Sequence, residues 1–247
     1  MGQIIFSNWD SEHFGVKIGK YIPHAPEDIS SDMERARAEG YNLLITRIST
    51  NEIEIVNALE KNGFELKDTI VHYKVNLERT EYFPSASAFN IREARIEDAP
   101  VVREIAKRTF KDYIGHFHKD KRLEKDKCDE LYAKWAENSV KDKNIAEAVL
   151  IAEEDHRILG FATIKIISEH ESQGILFGTA PEAQGRGVYT TLIREAINWS
   201  KRRNLKKFIY GTQVDNYVVQ NVFMKVGGEI YRSFYTLHCW IRDVCGE

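Results

Sequence analysis

Residues 175–189, ILFGTAPEAQGRGVY, limit what this chain can fold into more than any other stretch. An apolar run ends at Phe177, Gly178 and Thr179, and Pro181 breaks the strand. Gln184, Gly185, Arg186 and Gly187 then open a helical pattern in which Val188, Leu192, Ala196 and Trp199 form one apolar stripe. The order is strand, glycine-rich turn, helix start. The first N–H groups of a helix have no intrahelical partner, and the helix dipole favours an anion there. Glycines let the backbone close on a pyrophosphate with no Cβ in the way. Structural turns also use glycine, so the rest of the chain has to decide between the two readings.

Composition narrows the class. A chain of 247 residues with 43% hydrophobic and 30% charged residues reads as a soluble globular protein able to bury a core. The formal net charge of −3 argues against a dedicated nucleic-acid or membrane-surface protein. No apolar run reaches the roughly 18 residues of a membrane span. The start, MGQIIFSNWD, lacks the pattern of a secretory signal, and Phe6 stands where a myristoylation signal has Ser or Thr. Cys128, Cys239 and Cys245 form no metal-spaced pair and cannot all pair internally, which suits a reducing cytoplasm.

Periodicity predicts strands at 16–22 and 42–48, helices at 26–39 and 52–62, and a strand pair over 64–77. Small residues and Pro84 mark 83–90 as a linker between an N-terminal domain, 1–82, and a larger one, 91–247. The second part predicts a strand at 91–94, helices at 96–110 and 125–140 around a charged loop, and a hairpin of 146–153 with 158–168. The glycine-rich turn and its helix, to about 203, come next. A strand at 208–212, a helix at 216–225 and a strand pair over 229–241 complete the pattern. The segment 43–75 echoes the segment that begins at Phe208, with 61–65 (KNGFE) against 225–229 (KVGGE). The echo is read as a structural duplication, the N-terminal part being a partial copy.

With Gln184-x-x-Gly187 at the helix start and Asp215-Asn216 after the next strand, residues 91–247 resemble a GCN5-related N-acetyltransferase. That resemblance implies an α/β fold on a mixed sheet, preceded here by the smaller N-terminal α/β domain. It implies acetyl-CoA as co-substrate; His116-x-His118 could suggest a metal, but no third ligand is legible nearby and none is expected. It also implies a bulge within 174–178 that splays this strand from 208–212 and leaves a gap for pantetheine. Phe177, Gly178, Thr179, Gln184, Gly185, Arg186, Gly187, Val188, Tyr189, Asn216 and Phe223 are the residues it places on the cofactor. A narrower likeness covers nearly the whole chain through 9–15 (WDSEHFG), 132–138 (YAKWAEN), Asn198-Trp199 and 211–216 (GTQVDN). It points to the acetyltransferases of dTDP-linked 4-amino-4,6-dideoxyhexoses, and so to a sugar amine as acceptor. The other acceptors left open are an amino acid, a polyamine or a protein amine. A catalytically silent CoA-binding module is a further alternative. Monomer and homodimer both stay open.

Two positions depart from the family pattern. Tyr189 stands where it has Gly or Ala, so its ring must leave the pyrophosphate free or the cofactor must shift. Phe223 stands where many members have the tyrosine that protonates the leaving thiolate, which leaves Tyr217, Tyr210, Tyr235 or a water for that task. Asp68 matches a base position, against the alternative of a solvent-facing charge on a hairpin edge. Asn216 is read as a pantetheine or carbonyl contact as well as a helix cap. Gln213 contacts substrate or faces solvent. In the loop 110–119, Tyr113 and Phe117 are read as stacking on a base or sugar. His116 and His118 are read as touching diphosphate or acting on the amine, or else as exposed residues of a helix extension. The basic runs at 201–203 and 206–207 read as solvated turns, Trp9 and Phe14 as core, and His72 and His238 as packing on strand faces.

Overall fold

The structure is a computed structural model that describes residues 1–84 and 88–241; part of the expected linker, 85–87, and Cys245 lie outside the described residues. Its strands are β1 Gln3–Phe6, β2 Ile18–Ile22, β3 Leu43–Ser49, β4 Glu65–Asn76, β5 Asn90–Glu93, β6 Ala148–Glu154, β7 Arg157–Ser168, β8 Glu171–Thr179, β9 Lys207–Gln213 and β10 Glu229–Trp240. Its α-helices are α1 Asn8–Phe14, α2 Ile29–Ala38, α3 Ile53–Lys61, α4 Ala99–Thr109, α5 Lys125–Lys141, α6 Val188–Arg202 and α7 Tyr217–Lys225. Two expectations change. The strand pairs predicted over 64–77 and 229–241 are each one strand of 12 residues, because neither contains a turn that reverses the chain. The short β1 and α1 were not predicted. β1 alternates poorly and leaves Ile5 and Phe6 exposed, so it carries no period-2 signal.

The backbone forms two compact units, each assembled from separate segments. Unit 1 comprises Met1–Ile70, Ile114–Cys128 and Arg232–Glu247, and unit 2 comprises Val71–Tyr113 and Asp129–Tyr231. In unit 1, β1 pairs antiparallel with β2, β2 parallel with β3, and β3 antiparallel with β10. A parallel pair needs a crossover, and α2 supplies it. Tyr21, Ile29, Met33, Leu44, Leu59 and Leu237 are among the residues of its core. In unit 2, β5, β6, β7 and β8 form an antiparallel series, and β8 pairs parallel with β9 across the helix α6. Among the described residues no helix is long and apolar enough to cross a membrane.

The duplication is visible element by element. Leu43–Ser49, Ile53–Lys61 and Glu65–Asn76 correspond to Lys207–Gln213, Tyr217–Lys225 and Glu229–Trp240, with one offset of 164 at each start (207 less 43, 217 less 53, 229 less 65). Gly63 and Gly227 hold the same left-handed backbone after their helices, φ 84° and 83°. Leu59 and Phe223, one offset apart, are both fully buried. One part is not copied. Before α2 the chain reads Pro23-His-Ala-Pro-Glu-Asp28, with no glycine and with Glu27 and Asp28 in the first turn. Carboxylates there disfavour an anion, and among the described residues only the second copy has the glycine-rich turn before its helix.

Candidate active site

The site in unit 2 begins at an irregularity in β8. Ala162 of β7 faces Phe177, but Ile164 faces Gly174, so Thr163 alone opposes Ile175 and Leu176. This is a β-bulge: two residues against one, with ladder bonds lost. The Thr163 hydroxyl takes over both freed groups, accepting from Leu176 N–H at 2.9 Å and donating to Leu176 C=O at 3.2 Å, in a fully buried setting. On the other side of β8, pairing with β9 runs from Glu171↔Lys207 to Gly174↔Tyr210 and stops. Beyond that rung the two parallel strands diverge, as the bulge expected within 174–178 requires. A Cβ on Gly174 would lie 2.7 Å from the Tyr210 ring, so a glycine is needed at the apex.

The turn after β8 fits a phosphate-bearing ligand. Gly185 and Gly187 have φ of 76° and 88°, and a Cβ built on either meets nothing within 4 Å. Residues 184–187 are exposed, and Gly187 opens α6 without any side-chain cap. Val188, Tyr189 and Thr190 therefore present first-turn N–H groups that no helix bond can take. Arg186 is held away as an ion pair with both carboxylate oxygens of Glu154, at 2.7 and 2.8 Å. At the end of β8, the Thr179 hydroxyl is buried with no hydrogen-bond partner. That costs about 1–3 kcal/mol, which a ligand's polar atom would offset.

Aromatic rings wall the diverging gap. Tyr210 stacks on Phe223 with ring centroids 4.6 Å apart and planes 11° apart, and Phe177 meets Tyr210 edge-on at 5.0 Å. The hydroxyls of Tyr189 and Tyr210 lie 2.8 Å apart, and the Tyr189 ring stands against Phe177 at 6.0 Å. Tyr189 thus turns its ring toward β9, which leaves its backbone N–H in the turn. Burial pushes the Tyr210 hydroxyl up to about 12, and burial together with the Tyr210 hydroxyl raises Tyr189 well above the usual phenol value. Both stay protonated at neutral pH. The two family departures, Tyr189 and Phe223, meet at Tyr210.

The other expected residues take varied places. Asn216 caps α7, accepting from Val219 N–H at 3.3 Å. Tyr217, the next residue, is 69% exposed. Gln213 is buried, and its carbonyl accepts from the Gln220 side chain at 3.3 Å. Tyr113 stands edge-on to Phe110 and Tyr132 at 5.7 and 5.2 Å. In unit 1, Asp68 is buried inside β4, not on a hairpin edge, and accepts from Thr69 N–H at 2.8 Å with Lys119 at 3.4 Å. His118 is half-buried and accepts at Nδ1 from Gly115 N–H at 3.2 Å. Phe117 is core, tilted against Phe14 at 4.8 Å, and so is not available for stacking on a ligand. His238 does more than pack on a strand face. Its Nδ1 is 2.8 Å from Asp120, its Nε2 is 2.9 Å from His116 Nδ1, and it is 1% exposed.

Three contributors were not foreseen: Thr163, Asp120 and the His238 link. Thr163 left a legible trace, a hydroxyl in an otherwise apolar strand opposite the bulged segment. Asp120 and His238 are 118 residues apart, and nothing local connects them.

The fold is that of an acetyltransferase. The Acetyltransferase (GNAT) family model matches residues 102–227, just over half of the chain, and the chain belongs to this family. It is an acyl-CoA-dependent N-acyltransferase. It is similar to the dTDP-fucosamine acetyltransferase of Escherichia coli O6:H1, with 23% identity over 93% of this chain and 95% of that one. A shorter likeness, 27% identity over 90 residues, covers 35% of this chain and 59% of the putative [ribosomal protein bS18]-alanine N-acetyltransferase of Bacillus subtilis. Among solved structures, a GCN5-related N-acetyltransferase from Sphaerobacter thermophilus superposes with TM-score 0.67 at 11% identity, covering 98% of this chain and 76% of that one. A tandem GNAT protein from the clavulanic acid biosynthesis pathway gives 0.65 at 12% identity, covering 93% and 77%. The latter accords with the duplication seen here.

Proposed function

We propose that this acetyltransferase moves an acetyl group from acetyl-CoA to the amine of a nucleotide-linked amino-deoxy sugar, in the class of dTDP-4-amino-4,6-dideoxyhexoses. One observation carries the acceptor: the likeness to a relative named dTDP-fucosamine acetyltransferase runs through nearly the whole length of both chains. A match confined to the GNAT segment would speak for the donor alone.

When bound, acetyl-CoA supplies an activated acetyl thioester. The chain's own groups do the rest. First-turn N–H groups of α6, beside Gly185 and Gly187, hold the diphosphate. Phe177, Gly178 and Thr179 edge the gap where β8 leaves β9. Amide formation needs a proton at the leaving sulfur and the loss of one from the nucleophile. Phe223 has no proton to give, and Tyr217 is largely exposed. The buried Tyr210 hydroxyl, kept protonated and bridged to Tyr189, is the donor assigned in their place. Asn216 caps α7, the helix that carries Phe223 against the Tyr210 ring.

The test mixes purified protein and acetyl-CoA with dTDP-4-amino-4,6-dideoxyhexoses, with free amino acids and polyamines, and with a peptide amine, and follows thiol release. Turnover confined to the nucleotide sugars, together with thermal stabilisation by dTDP, is expected. Turnover on the peptide or free amine alone removes the sugar assignment and leaves the donor site intact.

A further inference from the structure

Past the rung that joins Gly174 to Tyr210, the β8 side of β9 is unpaired, yet the end of the strand is held. The hold comes from Gln220, a half-buried residue of α7. Its Nε2 donates to Val214 C=O at 2.7 Å and to Gln213 C=O at 3.3 Å, and its Oε1 accepts from the Tyr73 hydroxyl at 2.8 Å. Backbone carbonyls can only accept, so the amide nitrogen must face them and the Tyr73 hydroxyl must donate. Burial raises the Tyr73 pKa, which keeps that proton in place at neutral pH. Tyr73 is 1% exposed and lies in the part of β4 that belongs to unit 2. Its ring stands against Phe223 at 5.8 Å, and Phe223 in turn stacks on Tyr210. The contacts close a loop from the end of β9 through Gln220, Tyr73 and Phe223 to Tyr210, which is again on β9.

The first copy of this strand, turn and helix provides an internal comparison. With the offset of 164, Gln220 corresponds to Val56, which is buried in the apolar core of unit 1. There the turn after the strand is tied to β10 instead of to its own helix. Thr50 N–H donates to Ser233 C=O at 3.1 Å, and the two hydroxyls lie 2.6 Å apart. Ordering a long polar side chain costs conformational entropy, which the valine of the first copy avoids. The carboxamide stands only in the copy that also has the glycine-rich turn.

We infer that Gln220, braced by Tyr73, is a positioning residue of the donor site: it fixes the turn between β9 and α7 so that the gap between β8 and β9 stands open before acetyl-CoA arrives. The inference rests on the acetyltransferase reading above for the identity of the ligand. Gln220 acts through the backbone. The Gln213 carbonyl that it holds also accepts from Asn216 N–H at 3.0 Å, and Asn216 caps the helix that carries Phe223. One side chain thereby fixes the end of β9 and the start of α7 together. A site already in its bound shape binds more tightly, because association then need not order it. If the open gap fell to about a tenth of the population, the apparent acetyl-CoA Kd would rise about tenfold.

The test measures acetyl-CoA Kd by calorimetry on the full-length protein, with no acceptor present. Gln220→Leu keeps the bulk, and Val56 shows that the repeat accepts an apolar side chain at this point. Its acetyl-CoA Kd should rise roughly 10-fold, with kcat/KM for acetyl-CoA falling by the same factor and kcat at saturation nearly kept. Tyr73→Phe keeps the ring on Phe223 and removes one hydrogen bond, so its Kd should rise less, in the same direction. A residue that only stabilised the fold would lower the melting temperature and leave Kd and KM alone. Amide hydrogen exchange gives a second readout. Asn216 N–H should exchange faster in Gln220→Leu than in the wild type, and saturating acetyl-CoA should remove most of the difference. A wild-type Kd in folded Gln220→Leu, or an exchange difference that acetyl-CoA leaves untouched, overturns the clamp while the acetyltransferase reading stands. A wild type that binds no acetyl-CoA overturns both.

Discussion

Tyr210 is the residue on which the donor side of the site turns. The strand pair ends at it, it stacks on Phe223, and its hydroxyl meets that of Tyr189. Tyr210→Phe keeps the stack and removes the proton, so kcat should fall by roughly 10²-fold with the acetyl-CoA Kd unchanged. An unaltered kcat, with binding measured by calorimetry, would move the proton donor elsewhere. The hydrogen-bonded chain of Asp120, His238 and His116 also sets a dependence of stability on pH. His116 and His238 have folded-state pKa values below the ordinary value of about 6.5, so the unfolded chain binds more protons as pH falls. Their contribution is fully present above about pH 6.5 and is lost below it. Asp120 adds in the same direction at lower pH, between roughly 3.9 and its folded value of about 2. The urea midpoint should therefore drop from pH 7.5 to 5.5, and drop less in His238→Gln. At this scale the sequence was only half-readable. A tyrosine replacing a glycine and a phenylalanine replacing a tyrosine are conspicuous in the chain, but the hydroxyl bridge between them is a product of folding.

Among the elements, the bulged strand β8 and the helix α6 do most to define the site. Their signals are local and were legible: Pro181, two glycines at positive φ, and an apolar stripe at helical spacing. The bulge itself is kept by a side chain on the neighbouring strand. Thr163→Val removes the partner of both Leu176 N–H and Leu176 C=O, and each orphaned group costs about 1–3 kcal/mol. Thermal unfolding should shift downward by several degrees, and acetyl-CoA affinity should weaken as the strand relaxes toward regular pairing. An unchanged melting temperature would mean that water replaces the hydroxyl without loss. The long strands β4 and β10 were the least legible elements. A 12-residue strand divided between two units, β4 after Ile70 and β10 after Tyr231, reads as two short ones.

For the whole molecule, the division into units departs from chain order because strands are exchanged. Unit 1 takes Arg232–Trp240 of β10 and the segment Ile114–Cys128, while Val71–Asn76 of β4 belongs to unit 2. A fragment of residues 1–82 therefore lacks β10, one of the two strands paired with β3, as well as Asp120 and His238. Expressed alone, it should give the circular dichroism of an unfolded chain, and a cooperative melt would show that it is self-sufficient. Periodicity cannot disclose such an exchange, because strand partners are not encoded in local pattern. The pairing of β3 with β10 also has a consequence for synthesis. Arg47 and its hydrogen-bond partner Thr236 are 189 residues apart. Until β10 has emerged from the ribosome β3 has one bare edge, and an unpaired edge invites other strands. Closure of unit 1 must follow the emergence of β10, so the hydrogen bonds of His238 with Asp120 and His116 form only once that strand has been made.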